Sequence, residues 1–270
     1  MNKTQALFVG AAFVICVLVF IAPRSPKTGK EENLSGMPIA LDSVVSALNS
    51  QLNPGDKKVL DDLISVRTKD SSTLAANAEK IREFWSERRD PLGMAVYLKS
   101  LAENSGTSFI WNLAGKDFYR FSQLNKESGK RIGYPWAIYC FEMALKINPA
   151  DRENKLDLAG MYVEGSQDPM KGIGLIREVL AEDSTYVRAL VQLGFFSLQS
   201  GQYEKAIERF GQAIKADTSF ADGYVYLGQT YYMMGNREKA IENFENYYSR
   251  VSDSIVRLEV RKQIDQLKKN

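Results

Sequence analysis

Residues 190–217, LVQLGFFSLQSGQYEKAIERFGQAIKAD, and residues 224–249, YVYLGQTYYMMGNREKAIENFENYYS, are two copies of one pattern. Leu193-Gly194 returns as Leu227-Gly228, and Gly201, Ala206 and Phe210 return as Gly235, Ala240 and Phe244. Every offset is 34 residues. A fixed period of this length marks a stacked array in which each unit buries its apolar face against the next.

The pattern inside each copy is helical. In 187–199, Leu190, Leu193 and Phe196 fall on one stripe; in 203–215, Ile207, Phe210 and Ile214 fall on another. Spacings of three and four are those of an amphipathic helix, and no stretch alternates with period two. The sequence predicts an all-α chain without sheet. Gly201 and Gly235 suit turns that need a positive φ. A side chain on Gly194 or Gly228 would clash where two helices cross closely.

These residues resemble the tetratricopeptide repeat family, whose 34-residue unit is a pair of antiparallel helices. The resemblance implies a right-handed α-solenoid of such pairs. It assigns Leu193, Gly194, Gly201, Ala206, Phe210, Leu227, Gly228, Gly235, Ala240 and Phe244 to structural repeat positions. Repeats are expected at 187–220 and 221–251, with a capping helix at 252–270 that Asp253 or Ser254 would start. Its apolar positions are Ile255, Leu258, Ile264 and Leu267. A degenerate repeat is expected at 152–186, with Ala159-Gly160 in register and Gly172, Ile176 and Val179 replacing Ala206, Phe210 and Ala213. Another, at 107–151, carries Trp111, Ala114-Gly115, Ala137, Phe141 and Ala144, with roughly ten extra residues between its helices. Residues 41–106 read as a helical region with a further degenerate copy, in which Met94, Leu98 and Leu101 face the packing side. Before it, Leu41, Val45, Leu48 and Leu52 form one stripe, and Val59, Leu60, Leu63 and Ile64 another, after a Pro54-Gly55 turn.

The N-terminus reads differently. Ala6 to Ala22, ALFVGAAFVICVLVFIA, holds no charge. At ~1.5 Å per residue it spans about 26 Å, the short end for a bilayer core of about 30 Å. Phe20 and Pro23 make a poor cleavage site, so residues 1–23 are expected to be a single transmembrane helix and 24–40 a flexible linker. Arg24, Lys27 and Lys30 against Lys3 favour a cytoplasmic repeat region; the very short tail before the anchor favours export. The expectation is a single-pass bacterial inner-membrane protein with exported repeats.

Composition sets further bounds. Net charge is +2, so no global field attracts nucleic acid. The chain has no His, which removes His-based acid–base catalysis, Ser-His triads and His-ligated metal. Its two cysteines, Cys16 and Cys140, suggest no disulfide framework. In NKESGKRIG, Gly129-Lys130 lacks the earlier Gly and the following Ser/Thr of a phosphate loop. No enzyme activity, cofactor, metal, nucleic acid or small-molecule substrate is expected.

In tetratricopeptide proteins the first helix of each pair lines the concave face. Carried onto this chain, that points to Asn112, Lys116, Asp157, Met161, Arg188, Val191, Phe195, Asp222, Val225 and Gln229 as a partner-binding groove. Val191, Phe195, Val225 and Gln229 depart from the Lys, Asn and Arg clamp with which some members hold a C-terminal carboxylate. The expected function is a membrane-anchored scaffold that binds a protein or peptide. A subunit or receptor of a membrane assembly or transport machinery, in envelope biogenesis or organelle import, is the other reading.

Overall fold

A computed structural model describes residues 40–125, 129–165 and 168–269. The anchor and most of the linker expected from sequence lie outside these residues. Among the described residues there is no strand, and no helix is long and apolar enough to cross a membrane. The chain falls into two compact units that meet in sequence between Glu182 and Asp183. The first holds α1 (Asp42–Ser50), α2 (Pro54–Ile64), α3 (Ser71–Glu87), α4 (Pro91–Ser105), α5 (Ser108–Leu124), a π-helical turn (Gly129–Gly133), α6 (Tyr134–Ile147), α7 (Arg152–Gly165) and α8 (Pro169–Glu182). The second holds α9 (Val187–Gln199), α10 (Tyr203–Ala216), α11 (Asp222–Met233), α12 (Arg237–Arg250) and α13 (Ser254–Lys269).

Local chemistry explains the helix starts. Asn53, Asp70, Asp90 and Asn236 accept hydrogen bonds from backbone N–H groups of the first turns of α2, α3, α4 and α12. Asp253 does the same for Ile255 and Val256 of α13, at 2.8 and 3.1 Å. Each cap satisfies donors that the helix itself leaves unpaired. Pro54 occupies the first turn of α2, so Pro54-Gly55 opens a helix and does not form the expected turn. The turns after α9 and α11 are closed by Gly201 and Gly235, at φ of 73° and 78°.

One contact recurs inside the helix pairs. A Cβ placed on Gly194 would lie 2.4 Å from Cε1 of Phe210; one on Gly228 would lie 2.8 Å from Cε1 of Phe244. The same contact joins Gly115 to Phe141, where the distance is 2.7 Å. All three rings are buried. Gly115 and Phe141 lie ten residues further apart in sequence than the other two couples. The extra length goes into a longer α5 and the π-helical turn, and the glycine–ring contact is kept. That turn lies directly on α5, since a Cβ on Gly129 would stand 2.4 Å from the Ser122 carbonyl oxygen. Gly129-Lys130 is thus part of a helix-packing turn.

Several apolar residues face elsewhere than the sequence suggests. Val59 is exposed while its neighbour Leu60 is buried. On α13 the core stripe is Val256, Val260 and Ile264, which leaves Ile255 and Leu258 exposed. Tyr232, Met233 and Met234 are also exposed. Adjacent helical residues stand about 100° apart, so an apolar run cannot be buried whole by one packing face. Cys140 is a free, fully buried thiol beside Phe141, and burial pushes its pKa up.

The glycine contacts make opposite expectations for two substitutions in one helix pair. Gly194→Ala overpacks the pair and should cost about 1–3 kcal/mol. Gly211, in α10, meets nothing within 4 Å, so Gly211→Ala should stabilise by about 0.5–1 kcal/mol through helix propensity. Chemical denaturation of the two variants checks this; equal effects would remove the packing role of Gly194.

Candidate functional site

Side chains tie the first helices of successive pairs to one another within each unit. In the first unit α5 is the centre. Towards α7, Asn112 Nδ2 donates to Asn154 Oδ1 at 2.8 Å and reaches Asp157 Oδ2 at 3.3 Å. Lys116 Nζ pairs with the same Asp157 oxygen at 3.4 Å. One turn further, the Tyr119 hydroxyl donates to Glu164 Oε2 at 3.0 Å. Asn154, wholly buried, donates in turn to the Phe141 carbonyl at 2.9 Å. The polar row is thereby fixed to the helix pair behind it. Burial pushes up the Tyr119 phenol and the Glu164 carboxyl, and Glu164 also raises Tyr119.

Towards α3, α5 presents Asp117, which is 1% exposed. Arg82 donates to its Oδ2 from Nε and pairs from Nη2, both at 2.9 Å. Burial raises the Asp117 carboxyl above its usual range, and the Arg82 charge pulls it back down. In the second unit the join between first helices is aromatic. Phe195 of α9 lies edge-on to Tyr226 of α11 at 4.8 Å and to Phe210 at 5.4 Å.

Against this geometry the ten groove residues separate into three groups. Asn112, Lys116 and Asp157 meet in the row just described. Arg188, Asp222 and Gln229 keep exposed or half-buried positions on α9 and α11, with Asp222 accepting from Tyr247, whose phenol is pushed up to about 12 by burial and then by Asp222. The apolar members are corrected. Met161 and Val225 are 4% exposed and belong to the core. Val225 packs with Phe244 and Tyr247 of α12 and Val256 of α13, because apolar area on a first helix is drawn against the helices that pack on it. Val191 and Phe195 pack half-buried against Leu198, Ala206 and Phe210. Sequence reading missed Arg82, Asp117, Tyr119, Asn154 and Glu164. Asp117 had a visible signal: an acid on the helical stripe of Ala114 and Phe121. Among the described residues no cluster of Asp, Glu and Cys has metal-holding geometry.

A family model described as TPR repeat matches residues 198–235, which run from the end of α9 to the turn before α12. No curated protein matches the chain. Among solved structures, PilW, described as a widely conserved type IV pilus biogenesis factor, aligns with TM-score 0.54 and 18% identity over 73% of this chain and 87% of its own. A thermophilic TPR protein of Thermus thermophilus aligns with TM-score 0.51 and 13% identity over 72% and 97%. MamA aligns with TM-score 0.49 and 18% identity over 64% and 93%. The chain shares the fold of tetratricopeptide-repeat proteins. Among its described residues each unit is built of antiparallel helix pairs.

The corrected placement of Phe195 has a measurable consequence. Phe195→Ala removes a ring that joins α9, α10 and α11, and should cost about 2–4 kcal/mol, less than a fully buried Phe. Thermal unfolding of the variant checks it; an unchanged midpoint would return Phe195 to a solvent-facing role.

Proposed function

We propose that the chain is a non-enzymatic scaffold that holds a protein or peptide segment against the first helices of its repeat pairs. The supporting observation is the polar row of Asn112, Lys116, Tyr119, Asp157 and Glu164, in which first helices meet side by side and stay partly open to solvent. A repeat array offers such an extended surface in place of an enclosed pocket. The row offers donors and acceptors of both signs and is anchored from behind through Asn154 and the Phe141 carbonyl. Its geometry is therefore set before a partner arrives, which lowers the ordering cost of binding. On the second unit, Arg188, Asp222 and Gln229 are the candidates on that unit's own first helices. Tyr232, Met233 and Met234 expose apolar area nearby in sequence, at the C-terminal end of α11.

The uncharged Ala6–Ala22 segment is the basis for proposing that the scaffold is held at a membrane, with residues 24–40 giving it reach.

Full-length chain on membranes provides one test with two readouts. After a high-salt wash the chain should remain in the membrane fraction at full length. After detergent extraction and crosslinking, Lys116→Ala should cut recovery of a specific partner at least fivefold, with unchanged thermal unfolding. Release by salt would remove the anchor, and equal recovery by the variant would remove the groove.

A further inference from the structure

We infer that the outward side of α13 docks on an anionic lipid surface. This contact is separate from the groove on the first helices and from the Ala6–Ala22 segment. It adds a salt-sensitive attachment to the scaffold proposed above.

Positive charge in this chain is gathered on its last described helix. α13 carries Arg257, Arg261, Lys262, Lys268 and Lys269 against Glu259 and Asp265, a net of +3, whereas the whole chain carries +2. The helix turns Val256, Val260 and Ile264 to the core. At about 100° per residue, that places Leu258, Lys262 and Lys269 on the opposite side, with Ile255 beside them. Ile255 is 55% exposed and Leu258 57%. The edge towards α12 holds Arg257, Arg261 and Lys268, of which Lys268 is spent on Glu245 at 2.7 Å. The two arginines, one turn apart, lie over a single ring. Their Cζ atoms stand 4.5 and 5.5 Å from the centre of Tyr248. A guanidinium stacked on a ring keeps N–H groups at its rim free for oxygen acceptors. Among the described residues, no carboxylate forms an ion pair with Arg257, Arg261, Lys262 or Lys269. Even with Glu245 counted beside the two acids of α13, the face keeps two cations in excess.

Charge and shape together choose the occupant. Unpaired cations call for an anion. The outer side of a single helix has no walls to enclose a peptide, whereas a plane of headgroups meets it along its whole length, about 24 Å. An acidic peptide would also have to order its own chain, and a lipid surface presents its charges already in a plane. The apolar pair points the same way. Ile255 and Leu258 stand in water beside the cations. A basic helix of this kind lies at the headgroup boundary, its apolar side chains entering the acyl region and its cations among the phosphates. Each cation near such a surface strengthens binding about fivefold.

The test uses the full chain carried by phosphatidylcholine nanodiscs, which occupy the Ala6–Ala22 segment. Sucrose-loaded vesicles are added, of phosphatidylcholine alone or mixed with phosphatidylglycerol, and the chain that sediments with them is measured. The chain should bind the anionic vesicles and not the neutral ones, and salt should release it. Arg261→Gln with Lys262→Gln, both exposed, should weaken this binding by about tenfold or more. Ile255→Ala with Leu258→Ala should weaken it by about fivefold or more. Lys205→Gln with Lys215→Gln, the first charge change repeated on exposed positions of α10, should leave it unchanged. Circular dichroism checks the fold of each variant. Equal binding to neutral vesicles, no effect of either α13 pair, or equal weakening by both glutamine pairs would overturn the inference. So would a chain that ignores the anionic vesicles yet binds a labelled Glu-Ala octapeptide through Arg261 and Lys262, since the face would then take an acidic protein segment. A chain that does not enter the nanodiscs loses the proposed anchor, and the vesicle measurement then reads α13 on the chain alone. Partner recovery through Lys116 is read separately, so the groove and the α13 face stand or fall apart.

Discussion

The contact of a glycine backbone with an aromatic face is the constraint on which the repeat pairs depend. In three pairs the first helix carries Gly115, Gly194 or Gly228, and the second helix lays Phe141, Phe210 or Phe244 across it. The absent Cβ lets the helices approach until the ring is fully covered. A buried aromatic of this size contributes about 1.5–3 kcal/mol relative to exposure. The approach also fixes which residues of the first helix look outward. Ala114 and Phe118 turn inward beside Gly115 and are buried, while Asn112, Lys116 and Tyr119 come to the face shared with α7. The face proposed for binding is thus set by a packing rule inside each pair.

Much of this was readable in the sequence, because the rule uses fixed residue types at fixed offsets. The glycine–phenylalanine spacing is the same in the two regular copies, and in 107–151 it is lengthened by the ten residues inserted between the helices. The boundaries of α9 to α13 follow from the same period and from caps such as Asn236 and Asp253. What the sequence hid was the choice of stripe where apolar residues adjoin. Leu60 is covered and Val59 is not, although each extends a helical pattern. The runs Tyr231 to Met234 and Ile255 to Leu258 hold more apolar residues than one face can cover, and burial goes to the side on which a neighbouring helix lies.

The candidate site was legible only in part, for a different reason. A family position names a place on a first helix, but whether a side chain there reaches solvent depends on its own chemistry. At Met161 and Val225 apolar side chains are drawn into the core clusters of their units; at Asn112 and Asp157 polar ones stay at the rim. The Arg82–Asp117 pair joins residues 35 apart, and nothing local in α3 announces that its arginine serves an acid on α5. Such pairs resist sequence reading because their cost and gain arise only when both helices are in place.

The double-mutant cycle of Gly194→Ala with Phe210→Leu tests the glycine–ring contact most directly. The smaller, flexible leucine leaves room for the new methyl group. Phe210→Leu should therefore cost less in the Gly194→Ala background than in the native chain, with a coupling of about 1 kcal/mol or more. Additive effects, within about 0.3–0.5 kcal/mol, would show that ring and glycine do not sense each other and would contradict the account.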